Sequence, residues 1–77
     1  MATLVLTVTG ADRAGLVSSL STSVAEHGGS WLTSRMARLA GTFAGVVLVE
    51  VPDEQVSAFR EGVVRLADSG LAVAVTV

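Results

Sequence analysis

At 77 residues the chain is at most one domain, or a piece of something larger, and a chain this short buries only about 60% of the surface it exposes when unfolded. It has no cysteine, which excludes a disulfide framework and a thiolate metal site, and although 51% of its residues are apolar, no run approaches the roughly 18 that a membrane span needs. The net charge is −2 and the five arginines (Arg13, Arg35, Arg38, Arg60, Arg65) are scattered, with Trp31, Phe43 and Phe59 as the only aromatics, so a nucleic-acid surface is not expected.

In chain order, "TLVLTVT" (3–9) alternates Leu4, Leu6 and Val8 against Thr3, Val5, Thr7 and Thr9, the pattern of a half-buried strand. Asp12 is a candidate N-cap for a helix carrying Leu16, Leu20 and Val24 on one stripe and Ser18, Ser21, Thr22 and Glu26 behind it. His27 suits the negative end of that helix, and Gly28-Gly29 ends it. "WLTSRMARL" (31–39) and "FAGVVLVEV" (43–51) read as strands whose short link forces an antiparallel hairpin. Ala40 fits a type I′ turn poorly, so the expectation is a type I turn with Gly41 as a left-handed bulge residue. The register stays open: a one-residue slip exchanges the Trp31/Thr33/Arg35 face for the Leu32/Ser34/Met36 face.

Pro52 stops the third strand and Asp53 can cap a second helix, with Val56, Phe59, Val63 and Leu66 on its apolar stripe and Gly70 at its close. Gly62 inside it costs about 1 kcal/mol against alanine unless something packs closely there. "LAVAVTV" (71–77) is a last strand. The order β-α-β-β-α-β with right-handed crossovers gives a four-stranded antiparallel sheet, order 4-1-3-2, with two helices on one face. The opposite face carries small and apolar residues, and the second strand lies at an edge, so a partner layer or strand is expected, most economically a second copy of the chain.

Catalysis finds little support. His27 is the single histidine and sits beside a helix-ending glycine, there is no convergent set of zinc ligands, and the carboxylates fall at helix ends and on polar faces. Small acyl phosphatases share this strand order but pair an arginine in the first loop with an asparagine, and this chain contains no asparagine. The junction "GADRAG" (10–15) is different. Glycines permit close backbone approach, a helix N-terminus offers unpaired N–H groups to a carboxylate, and Asp12 could attract an ammonium group. Plain capping by Asp12 beside a solvated Arg13 explains the same residues. If the junction is a site, a side chain at Gly15 should block it.

"G-x-D-R-x-G-[ILV]-V" between strand and helix, followed by a hairpin and a second helix, resembles the ACT domain. The longer stretch "TGADRAGLVSSLSTSVAEHGGSWLTSRMARLAGTFAGVVLVEVP" resembles the ACT modules of the glycine cleavage system transcriptional repressor family, the "SWLTSRMARLAGTFAG" hairpin most tellingly. Two departures stand out: Ala14 replaces a frequent proline, and the repressors carry two modules where this chain has one. The resemblance implies a ferredoxin-like α+β regulatory domain spanning 1–77, cytoplasmic and non-enzymatic, without cofactor or metal. It implies a small amino acid, glycine foremost, held at an interface by Asp12, Arg13, Ala14, Gly15 and Leu16 of one module. Trp31, Leu32, Thr33 and Ser34 of a homodimer partner or second module complete the site. A DNA-binding regulator would receive the signal. The alternatives are a ligand-independent dimerisation module, or the regulatory head of a larger enzyme such as a folate deformylase or amino-acid phosphatase.

Overall fold

The computed structural model describes residues 1–11 and 15–76. The alternation in the first segment produces β1 (Ala2–Ala11), with Leu4, Leu6 and Val8 fully buried and Thr3, Val5, Thr7 and Thr9 on the other face. Then follow α1 (Leu16–Glu26), β2 (Ser30–Leu39), β3 (Thr42–Val51), α2 (Val56–Val64) and β4 (Leu71–Thr76). All pairings are antiparallel and the order is β2-β3-β1-β4, the 4-1-3-2 arrangement expected from right-handed crossovers. One core joins the inner face of the sheet to the helices: Leu4, Leu6, Val8, Phe43, Val47, Val49, Val51 and Leu71 meet Leu16, Leu20, Val24, Phe59 and Val63.

Both helices depart from the simple sequence reading at their starts. Gly15, at φ 92°, occupies the N-cap position of α1, and no described side chain caps the helix. Asp12, Arg13, Ala14 and Val77 lie outside the described residues, and with Asp12 the cap expected of it. Asp53 is likewise no cap: it begins a 3₁₀ turn (Asp53–Gln55) ahead of α2, and a second one (Arg65–Ser69) carries the chain to Gly70, which is left-handed. The single long helix expected there is thus an α-helix between two 3₁₀ turns. The C-terminus of α1 closes as expected. Gly28 N–H donates to the Ala25 carbonyl at 3.0 Å and Gly29 N–H to the Val24 carbonyl at 2.9 Å, the paired bonds of a Schellman motif.

The hairpin corrects the expected turn. Leu39 pairs with Thr42, leaving two central residues, Ala40 and Gly41, at φ 53° and 75°. Positive φ at both is the type I′ pattern, which matches the twist of the flanking strands. Strand pairing therefore outweighs the reluctance of Ala40 to turn left-handed, a cost of about 1–2 kcal/mol. The register is settled by a feature neither alternative contained. Trp31 pairs with Val49 but Thr33 pairs with Leu48, so Leu32 is an inserted bulge residue. Past the bulge the faces exchange. Trp31, Ser34, Met36 and Arg38, opposite Val49, Val47, Gly45 and Phe43, all lie on the helix side, while Thr33, Arg35 and Ala37 lie on the open side.

The open face is built of small, β-branched and aliphatic residues, with Arg35 among them. Its central rows run Thr33-Leu48-Val5-Thr76, Arg35-Val46-Thr7-Ala74 and Ala37-Ala44-Thr9-Ala72. Val5 and Val46 are exposed there at 39% and 44%. No helix among the described residues is long and apolar enough to cross a membrane.

Candidate functional site

Where β1 gives way to α1, the described residues leave an open helix start. The Gly15 carbonyl accepts from Ser19 N–H at 2.9 Å and from Ser19 Oγ at 2.9 Å, the first bonds of the helix. The first-turn N–H groups point the other way and receive no cap from a described side chain. A Cβ built on Gly15 would meet nothing within 4 Å. What a side chain would bring at this position is backbone strain at φ 92°, since no neighbouring described atom obstructs it. Leu16 buries its side chain in the core, so only its backbone faces the junction.

The four hairpin residues expected in the site are far away within one chain. Trp31 stands level with Val49 and Leu4, whereas the turn follows Gly10 and Ala11, which stand level with Arg38 and Leu39. Six residues of β1 separate those levels, about 20 Å at 3.3 Å per residue. Trp31 is half-buried and packs against the core from the helix side. Leu32 sits exposed in the bulge, Thr33 is on the open face and Ser34 is exposed opposite Val47. All four occupy the edge strand, along which a neighbouring strand could lie.

Two of the hollows lined by described residues lie on the helix side. The smaller, about 190 Å³, is lined by Val17 from the first turn of α1, Met36 and Arg38 from β2, and Phe43 from β3. It lies at the same end of the sheet as the β1–α1 junction. Sequence reasoning missed these residues because it took β2 as an unbroken alternation, and the bulge at Leu32 is what turns Met36 and Arg38 toward α1.

The larger hollow, about 440 Å³, runs between α1 and α2 over Gly62, with Ser23, Glu26, His27, Glu61 and Arg65 around it. His27 does not act alone there. Its Nδ1 lies 2.7 Å from the Ser23 carbonyl, which can only accept, so Nδ1 carries the proton. Its ring meets Phe59 edge-on at 5.8 Å. Among the described residues no buried side-chain polar atom lacks a partner, and no cluster could hold a metal ion.

A family model described as the ACT domain matches residues 2–76. The chain belongs to the ACT domain family. Among solved structures, this ACT domain is similar to a candidate glycine cleavage system transcriptional repressor, with a TM-score of 0.86 at 21% identity over 96% of this chain and 44% of that one. It is similar to a formyltetrahydrofolate deformylase from Pseudomonas putida KT2440, with a TM-score of 0.84 at 20% identity over 99% of this chain and 29% of that one. An ACT domain protein from Streptococcus pneumoniae gives 0.78 at 20% identity, over 96% of this chain and 86% of that one. No curated protein sequence matches. The ACT domain here thus spans under a third of the deformylase and under half of the repressor, and at these identities the likenesses establish the fold.

Proposed function

We propose that this ACT domain is a non-enzymatic sensor of a small amino acid. The ligand would lie between its β1–α1 junction, Asp12 to Leu16, and Trp31–Ser34 of a second module. What supports the reading is that β1 ends at Ala11, at the opposite end of the sheet from Trp31, and that Trp31–Ser34 lie on the free edge strand. Two β2 edges running antiparallel about a two-fold axis lay the Trp31 end of one strand beside the Leu39 end of the other, at the level of the junction. A two-fold contact of this kind is isologous and closes at two copies. Occupancy stabilises that pair, and by linkage it shifts the affinity of the pair for a regulator, here a DNA-binding protein of amino-acid metabolism.

Thermal unfolding against a panel of amino acids, glycine included, tests this. A ligand at about 100 times its Kd adds roughly 2.7 kcal/mol, a rise of order ten degrees for a domain of this size. Absence of any shift across the panel refutes sensing and leaves a ligand-independent dimerisation module. The likeness to a deformylase, of which this fold forms 29%, favours a second reading as the regulatory head of a larger enzyme. In that case the same ligand alters turnover by a catalytic domain in the same polypeptide.

A further inference from the structure

We propose that the hollow between α1 and α2 binds a primary alkylammonium group, held by Ser23 Oγ and His27 Nε2 over Gly62. The hollow shares no residue with the site described under the proposed function and does not rest on that role.

Ser23 carries the argument. The residue is buried, at 8% exposure, yet its hydroxyl makes no hydrogen bond with a described residue. No sealed side-chain polar atom among the described residues lacks a partner, so this Oγ keeps an opening onto the hollow that Ser23 lines. His27, four residues on, lines the same hollow. Its Nδ1–H is committed to the Ser23 carbonyl, which makes Nε2 the acceptor of the ring, and Nε2 has no partner among the described residues. The two atoms converge. A Cβ at Gly62 would stand 3.4 Å from Ser23 Oγ and 3.9 Å from His27 Nε2, so both flank the space that glycine leaves open.

The sign of the ligand follows from the groups around those atoms. Glu26 of α1 and Glu61 of α2 line the hollow, and Arg65 is the only cation among the described lining residues. With His27 neutral, the carboxylates outnumber the guanidinium by one, which matches a monocation. An anion would face both carboxylates and the imidazole lone pair. An ammonium offers three N–H donors and no acceptor, the complement of an imidazole nitrogen, a hydroxyl and a carboxylate. Ser19 does not compete, since its Oγ donates to the Gly15 carbonyl. Ala58 and Leu66 give the attached alkyl chain an apolar wall. The volume, about 440 Å³, is that of a small-ligand cleft.

Nitrogen NMR of the imidazole tests this in the 77-residue chain, where His27 is the single histidine. Butylammonium chloride is titrated at constant ionic strength. Its controls are tetramethylammonium, which has the charge without N–H, and butanol, which has the chain without the charge. Butylammonium is expected to move the Nε2 resonance saturably, and both controls to leave it in place. Ser23→Ala should weaken butylammonium about tenfold, the usual loss of a hydrogen bond to a charged group. Gly62→Ala, whose methyl fills the space between Oγ and Nε2, should abolish binding, with unfolding curves showing both variants folded. Glu61→Gln should weaken it severalfold, more so at low salt. Tighter binding of N-acetyl-lysine methylamide than of butylammonium assigns the cation to a lysine of a partner protein, and weaker binding assigns it to a free amine. An equal response to tetramethylammonium, or wild-type affinity in Ser23→Ala, overturns the inference. A resonance unmoved by every probe leaves the space to water and overturns it too.

Discussion

Gly62 sits in the middle of α2, where glycine costs a helix about 1 kcal/mol, and the neighbouring helix explains its presence. A Cβ there would come within 3.3 Å of His27 Cε1 and 3.4 Å of Ser23 Oγ. The imidazole cannot retreat freely, being held by its bond to the Ser23 carbonyl and by the Phe59 ring. Gly62→Ala should therefore fail to deliver the ~1 kcal/mol that propensity promises, and should recover that gain when His27 is also replaced by alanine. Chemical denaturation of the four proteins of that cycle measures the coupling; additive effects would mean the helices do not touch through this pair. The same contact accounts for His27 as a helix-end residue whose ring bonds the helix it terminates.

The β2–β3 hairpin carries two local strains that its sequence can be altered to probe. Ala40 at φ 53° adopts a conformation that asparagine or glycine reaches at lower cost. Ala40→Asn, creating Asn-Gly in the turn, is expected to stabilise the chain by about 1 kcal/mol, read as a rise in Tm of roughly 4–8 °C. An unchanged Tm would place the turn in another geometry. Gly45→Ala acts in the opposite sense. Its new methyl meets backbone atoms of Arg35 and Met36, which cannot move without parting the two strands. A loss of about 1–3 kcal/mol in denaturant unfolding is expected, in the usual range for overpacking. A neutral result would show that β2 can shift away from β3 without cost.

For the molecule as a whole, the proposed pairing of two copies uses the β2 edge, and the open face bearing Val5 and Val46 is the rival surface. The chain has no cysteine, so single cysteines report cleanly. Opposed residues of an antiparallel pair have Cα atoms about 4.5–5.5 Å apart, within reach of a disulfide. Oxidation of separate Ser34→Cys, Arg35→Cys and Met36→Cys variants is expected to trap a covalent dimer in at least one case, with Val46→Cys remaining monomeric on a denaturing gel. Trapping through Val46→Cys alone would move the interface to the open face. Light scattering at high concentration gives the companion test: a monomer contradicts both contacts.

Periodicity made most of the fold legible, because alternation in β1 and β4 and the stripes Leu16/Leu20/Val24 and Phe59/Val63 are dictated locally by which face must leave water. Together with right-handed crossovers, that was enough for the strand order. The β1–α1 junction was legible too, as glycines around "DRA", although its three central residues lie outside the described structure. The type I′ turn, the bulge at Leu32 and the approach of β2 to Gly45 were not legible, since each is a compromise between a local preference and a pairing that involves distant residues. Leu39 meets Thr42 because the ladder from Thr33 to Leu39 fixes the alignment of β2 on β3, and Ala40 accepts the strain. The bulge then decides which β2 side chains face α1, and so gives the hollow beside the junction its arginine and its methionine. Burial periods are properties of a segment alone, whereas register is a property of two segments meeting, and the candidate site depends on register.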